Sequence, residues 1–301
     1  MDKHRASGLF ICAERMSNNS NPEFSDAEVL TVYLWGIMNG HRKVKPSYEY
    51  VRNHLKEWFP KLRAYATYIQ RLNRLPQVFA GLLSLIQNDF APLPDAGYVC
   101  LIDSMPIMTA NAKRSSRAKV AREIADKGYN SVKETYYCGL KLHIFAVRRN
   151  GKLPLPDYIG ITPASTADIN VLKDIADDLH DTSVYADKAY VSNALKQCLE
   201  EQNTSLNTPF KRKKGQKLSV MDEILSSAVS MVRQPIESLF NWIDEKTGIQ
   251  TASKVRSTQG LLVHVYGKLA AAMLLLTVAA YSYFQLLIRI NNTFHLMCNS
   301  F

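Results

Sequence analysis

The five cysteines, Cys12, Cys100, Cys138, Cys198 and Cys298, are scattered, odd in number and form no C-x-x-C pair. A structural zinc site or a disulfide framework is therefore not expected, and a reducing compartment fits best. Met1–Arg15 mixes charges with apolar residues and lacks an unbroken apolar stretch, so no signal peptide is expected. There is no internal repeat and no long low-complexity stretch. Acids are the scarcer charge: 27 Asp plus Glu stand against 37 Lys plus Arg, a net charge of +10. That surplus favours a polyanionic partner, either nucleic acid or an anionic membrane surface. A basic soluble protein without such a partner has the same composition, and charge alone does not separate the two. With 47% hydrophobic and 21% charged residues over 301 positions, the chain is globular and has room for one large domain or two.

One apolar run stands out. Leu269–Ile288 carries no charge between Lys268 and Arg289, and its length is enough to span a bilayer. Gln285, Ser282, Thr277 and several alanines keep its apolarity moderate. The expectation is a buried helix packed against a sheet, with no membrane partner; a transmembrane segment is the rival reading.

Three zones follow from the periodicity. Residues 1–92 read as an all-α N-terminal domain. Ser25-Asp-Ala-Glu28 has capping-box spacing before an apolar run to Met38, and Asn39-Gly40 stops that helix. Further helices are expected over Ser47–Phe59, Tyr65–Leu75 and Gln77–Phe90, punctuated by Pro60 and Pro76. Pro92-Leu-Pro94-Asp-Ala-Gly97 marks the boundary.

Residues 93–260 change period. Strands are expected at Tyr98–Ile102, Tyr136–Val147, Leu155–Thr162, Thr182–Ala186 and Ser205–Pro209, with helices at Asp168–Leu179, Ser192–Gln202 and Met221–Lys246. The order β-β-β-α-β-α-β-α predicts a mixed α/β (α+β) domain, a sheet with helices on both faces. That is the order of the RNase H-like fold. Residues 261–301 form the third zone, an apolar C-terminal helix and tail.

Asp103 ends the first expected strand and Asp187 the fourth. In an RNase H-like sheet those strands are central neighbours, so the two carboxylates meet. Glu237 lies on the last long helix, next to a buried stripe of Ile236, Leu239, Phe240 and Ile243. Three carboxylates in one place repel unless cations neutralise them. Mg²⁺ is a hard cation that uses a few carboxylates plus phosphate oxygens, and two such ions ~4 Å apart serve phosphodiester displacement. An acid at a strand end is more often a solvated turn residue or cap. Here both acids follow apolar cores directly, in Leu101-Ile-Asp-Ser and Val184-Tyr-Ala-Asp-Lys-Ala-Tyr.

Four stretches carry a specific resemblance: Phe24-Ser-Asp-Ala-Glu-Val-Leu, Leu101-Ile-Asp-Ser-Met-Pro-Ile, Tyr185-Ala-Asp-Lys-Ala-Tyr and Val232-Arg-Gln-Pro-Ile-Glu-Ser-Leu-Phe. Over roughly residues 24–280 the sequence resembles DDE transposases of bacterial insertion sequences, most nearly the group numbered 982, within the retroviral-integrase superfamily. The resemblance implies that Asp103, Asp187 and Glu237 are the catalytic, metal-binding residues, with two Mg²⁺ ions that Mn²⁺ can replace. It implies hydrolysis at the transposon ends, then attack of a DNA 3′-hydroxyl on target DNA. It also implies double-stranded DNA partners (terminal inverted repeats and target), a homodimer on DNA, and a cytoplasmic, nucleoid-associated location. The sequence departs from the pattern at Asp244, where many relatives carry Lys or Arg. Only residues 188–236 separate the second and third acids, too few for a large inserted domain.

Two basic stretches flank the acids. Lys113, Arg114 and Arg117 belong to one, between the first two strands; Lys211, Arg212, Lys213, Lys214 and Lys217 form the other. Each is expected to contact phosphates, although a solvated charged loop has the same look. Lys188 follows Asp187 closely enough to reach a scissile phosphate. Arg233, one helical turn before Glu237, is expected either to orient that carboxylate or to touch DNA, although an ordinary surface ion pair has the same spacing. Arg71 and Arg74 lie on one face of the third helix and are expected to read the major groove, although a basic face on an ordinary bundle has the same pattern. His143 reads as a core or surface histidine, and Tyr190 as packing. The rivals are a metal-dependent nuclease on the same fold and a non-catalytic DNA-binding protein derived from an inactive element.

Overall fold

The computed structural model describes residues 9, 22–89, 98–115, 117–131, 133–211 and 218–278. The chain divides into two compact units. One comprises Met1–Phe90, Glu245–Ile249 and Arg256–Phe301; the other comprises Ala91–Asp244 and Gln250–Val255. The expected boundary at Pro92–Gly97 lies outside the described residues, as does the tail beyond residue 278.

In the first unit, α1 (Asp26–Met38) opens with the capping box expected of Ser25: the Glu28 amide donates to the serine hydroxyl, and the Ser25 amide donates to the Glu28 carboxylate. Such a cap stabilises a helix by about 1 kcal/mol. The next helix, α2 (Val44–His54), starts earlier than expected because Pro46 sits in the first turn, where its missing N–H costs nothing. It also ends earlier, giving way to turns in which the Trp58 and Phe59 amides return to the Leu55 carbonyl. Helices α3 (Tyr65–Leu72) and α4 (Pro76–Asp89) follow, with α3 closed by turns at Arg74 and Leu75 before the proline. Helices α1 and α2 cross closely at Gly36, where a β-carbon would lie 1.7 Å from the Ser47 hydroxyl oxygen.

The apolar C-terminal stretch belongs to the same core. It runs as α9 (Thr258–Leu262), one π-turn at Val263–Gly267 and α10 (Lys268–Val278). Val263, Ala270 and Ala271 pack with Val29, Tyr33 and Phe79. Thr258–Thr277 is long and apolar enough to cross a membrane, yet 72% of its most apolar 18-residue stretch is buried inside the protein. The expectation of a buried helix holds over the described part. The expected sheet beneath it is corrected: its packing partners are α1 and α4.

The second unit is a mixed sheet. Its strands are β1 (Val99–Asn111), β2 (Asp126–Asn130), β3 (Thr135–Val147), β4 (Leu155–Pro163), β5 (Ser183–Tyr185) and β6 (Ser205–Asn207), ordered β2-β3-β1-β5-β6 with β4 also on β3. β3 is antiparallel to β1 along one edge; along the other it pairs first with β2 and then with β4. β5 and β6 add in parallel. The helices are a single turn, α5 (Ala112–Ser115), then α6 (Asp168–Ile175), α7 (Asn193–Glu201) and the long α8 (Val220–Thr247). This is the mixed α/β arrangement expected of an RNase H-like transposase domain.

Two strand expectations are corrected. β2 was not foreseen, because Asp126–Asn130 has no apolar alternation. β1 runs well past Asp103, to Asn111, because β3 continues beside it. Gly139 of β3 permits the irregularity of β1 between Met108 and Ala110: a β-carbon there would lie 1.9 Å from the Ile107 carbonyl oxygen. The far edge of β1 is satisfied by the returning chain, through Met108 amide to Gln250 carbonyl (2.7 Å) and Ala252 amide to Met108 carbonyl (2.9 Å).

Alternation along β1 sorts its residues. Cys100 and Ile102 join Phe145, Val184, Leu172 and Leu199 in the core that holds α6 and α7. Leu101, Asp103 and Met105 point to the other face, from which α8 reaches Asp103.

Candidate active site

The parallel register of β1 and β5 ends at Leu101 opposite Tyr185. Asp103 and Asp187 each lie two residues farther on. β5 is over by then, and Asp187 caps a single 3-10 turn, Lys188–Tyr190, whose last amide donates to its carbonyl. Asp103 is still in β1, paired with Ile144 of β3. Glu237 projects from α8, whose residues Ile236, Leu239, Phe240 and Ile243 are buried as expected.

Arg233 ties two of these acids together. Its Nη1 donates to Asp103 Oδ2 and its Nη2 to Glu237 Oε1, each at 2.5 Å. The Arg233 and Asp103 side chains are 14% and 20% exposed, whereas that of Glu237 is 52% exposed. The helical contact foreseen between Arg233 and Glu237 is present. Asp103 also accepts the Ser104 amide at Oδ1 (2.8 Å). Burial, with smaller contributions from Asp187 and Glu237, pushes the Asp103 carboxyl up to about 6 against the pull of Arg233 and the Ser104 amide. Both neighbours act on Asp103 through their charge, so the three carboxylates influence one another electrostatically.

The donor chemistry fits a hard divalent cation, since all three groups are carboxylates and Asp103 is held where its charge needs a counter-ion. As arranged, no three His, Cys, Asp or Glu among the described residues stand close enough together to hold one metal ion. Between Asp103 and Glu237 the counter-charge is the Arg233 guanidinium.

A polar cluster lies behind the acids on the α6 side. Lys141 donates to Asp168 (2.9 Å) and to the Thr166 carbonyl (2.8 Å). His143 is fully buried, with Nε2 2.8 Å from the Thr162 hydroxyl; burial and Lys141 push its pKa down to about 4 against the pull of Asp168. Tyr190 is fully buried too, and burial pushes its phenol well above the ordinary value. Asp103, Asp168 and Asp187 add to that rise. Among the described residues its hydroxyl has no hydrogen-bond partner. Tyr190 packs in the core as expected, and the polar neighbours of its hydroxyl add to that reading. The sequence signal was Lys141, a charge within an apolar strand.

The expected DNA contacts fall into three groups. Lys113, Arg114, Arg117, Lys188 and Lys211 are exposed. Arg212, Lys213, Lys214 and Lys217 lie outside the described residues. Arg71 is corrected: it is buried, pairs with Asp26 at 2.5 Å, donates to the Phe24 carbonyl and sits over the Phe24 ring. The hydrophobic spacing of α3 turns it into the core, so it is not available to a groove. Arg74 is exposed in the turn after α3. Asp244, the departure from the family pattern, accepts the Gln250 amide (2.9 Å) and so fixes the chain's return to β1.

The family described as Transposase DDE domain matches residues 95–257, more than half of the chain and the whole of the sheet. The chain belongs to that family of DNA-acting transposases. No individual curated protein matches it.

Proposed function

We propose that the chain is the transposase of a bacterial insertion sequence, of the 982 group and the retroviral-integrase superfamily. It cuts DNA at the terminal inverted repeats and joins the freed 3′-hydroxyl to target DNA. Asp103, Asp187 and Glu237 are the catalytic carboxylates and would hold two Mg²⁺ ions, for which Mn²⁺ can substitute. When bound, such ions activate an attacking hydroxyl and neutralise charge on the leaving oxygen. The observation that carries this reading is the equal offset of Asp103 and Asp187 beyond the Leu101–Tyr185 pair, with Glu237 in electrostatic reach.

The remaining residues divide the binding work. Lys113, Arg114, Arg117 and Lys188, exposed in the same unit as the acids, contact phosphates, and Lys211, Arg212, Lys213 and Lys214 are further phosphate contacts in this reading. The helical unit carries sequence recognition, with Arg74 as a candidate contact. Val220, Ile224 and Met231 form an exposed apolar stripe on α8, which supports a second copy as partner. The location that suits this work is the bacterial cytoplasm, on the nucleoid.

A strand-joining assay with precut repeat ends tests the reading. Joined products that require Asp187 support a transposase. Cutting without joining supports the rival nuclease, and binding without either supports a non-catalytic derivative.

A further inference from the structure

Arg233 holds two of the three acids at once. We propose that it is the protein's own stand-in cation: it occupies Asp103 and Glu237 when no divalent ion is bound, and it must let go before one can bind. Guanidinium and metal then compete for the same two carboxylates. The inference rests on the proposed reading that these acids are metal ligands.

The seat of Arg233 is that of an exchangeable group. A guanidinium built in permanently has its donors filled, commonly with two of them on one carboxylate. Arg71 shows that pattern in this chain: Nε and Nη2 both donate to Asp26, and Nη1 donates to the Phe24 carbonyl. Arg233 splits its two ends between two acids from different elements, and neither acid receives two of its donors. Its Nε is buried without a hydrogen-bond partner among the described residues. An orphaned buried donor is costly, so part of what the two ion pairs contribute is lost.

One of those pairs is also easy to open. The Glu237 side chain is 52% exposed and lies on the same helix as Arg233. Exposed pairs at that spacing contribute little. The arrangement therefore neutralises two converging acids without fixing them irreversibly. It also explains why the three acids influence one another electrostatically and still form no ligand cluster among the described residues.

The test uses the full chain without DNA, Mn²⁺ as the probe, and titration calorimetry alongside thermal unfolding. The account expects Arg233→Gln to bind Mn²⁺ about 5-fold or more tighter than the wild type, the lower end of ordinary coupling between linked equilibria. Metal-free Arg233→Gln should melt at a lower temperature than the wild type and gain more from saturating Mn²⁺. Arg233→Lys, which keeps the charge but loses the fork, should bind Mn²⁺ with an affinity between the two. That variant decides the matter if Arg233→Gln does not fold. Equal or weaker Mn²⁺ binding by the variants, with wild-type binding abolished by Asp103→Asn, overturns the exchange while leaving the metal site intact. Wild-type Mn²⁺ binding that is absent, or indifferent to Asp103→Asn, overturns the exchange and the metal-site reading together.

Discussion

Asp103 and Asp187 each lie two residues beyond Leu101 and Tyr185, the last pair of the parallel strands β1 and β5. The two acids owe their positions to different backbone. Asp103 is fixed by the pairing of β1 with β3, and Asp187 by the 3-10 turn that follows β5. The first is mostly buried; the second stands in a connection.

Arg71 should behave as a fold residue. Its pair with Asp26 is largely buried, and removing one partner of such a pair costs about 3–5 kcal/mol. Arg71→Ala should lower the melting temperature markedly, whereas Arg74→Ala should leave it unchanged. Thermal unfolding followed by circular dichroism checks both. Equal melting of Arg71→Ala and wild type would contradict the buried pair.

The apolar C-terminal helix gives a second check. Ala271 is fully buried in the bundle core, whereas Leu275 is only half-buried. Placing a charge at the first position leaves it unpaired in an apolar core, at a cost of several kcal/mol. Ala271→Lys should therefore unfold or strongly destabilise the protein, and the wild type should be extracted without detergent. Recovery of the wild type only from detergent-solubilised membranes would overturn the buried-helix account.

Much of this was legible in the sequence. Ser25 and Glu28 announced their helix through a local rule, and the apolar runs ending near Asp103 and Asp187 located two strands. What was hidden depends on partners distant in sequence. β1 continues past Asp103 because β3 lies beside it, and β2 exists because the start of β3 gives a polar segment something to pair with. The burial of Arg71 is set by Phe24 and Asp26, and the packing of α10 by α1 and α4. No periodicity within a segment reveals such neighbours. Arg233 was placed correctly beside Glu237 from helical spacing, but its bond to Asp103 crosses from helix to sheet.

His264 makes stability depend on pH. It is half-buried; desolvation and Lys268 push its pKa down to about 3, although its ring contact with the Ile249 carbonyl (2.9 Å) opposes them. The unfolded chain takes up that proton near 6.5 and the folded chain does not. Stability is therefore full above pH 6.5 and is lost as pH falls from there toward 3, at about 1.4 kcal/mol per unit for this one group. Urea unfolding at pH 7.5 and 5.0 should show His264→Gln losing about 2 kcal/mol less than the wild type. Parallel losses in both proteins would mean that His264 titrates normally.

The exposed bases after β1 should act through phosphates. Replacing Lys113, Arg114 and Arg117 together by Ala should weaken binding to repeat and scrambled DNA alike. It should also flatten the salt dependence by about one unit of slope for each phosphate left without its cation. Gel-shift titrations over a range of salt concentrations measure both. A loss confined to the repeat sequence would instead assign base reading to this segment.

The central claim is that three carboxylates do the chemistry, and Asp187 tests it most cleanly because it takes no part in the Arg233 pairs. Asp187→Asn keeps the shape and removes the charge. With Mg²⁺, a cleavage and strand-joining assay on repeat-end DNA should show the wild type active and Asp187→Asn reduced at least about a thousandfold, on the order of 4 kcal/mol of barrier. Its DNA binding and melting temperature should be unchanged. Normal cleavage and joining by Asp187→Asn would contradict the account.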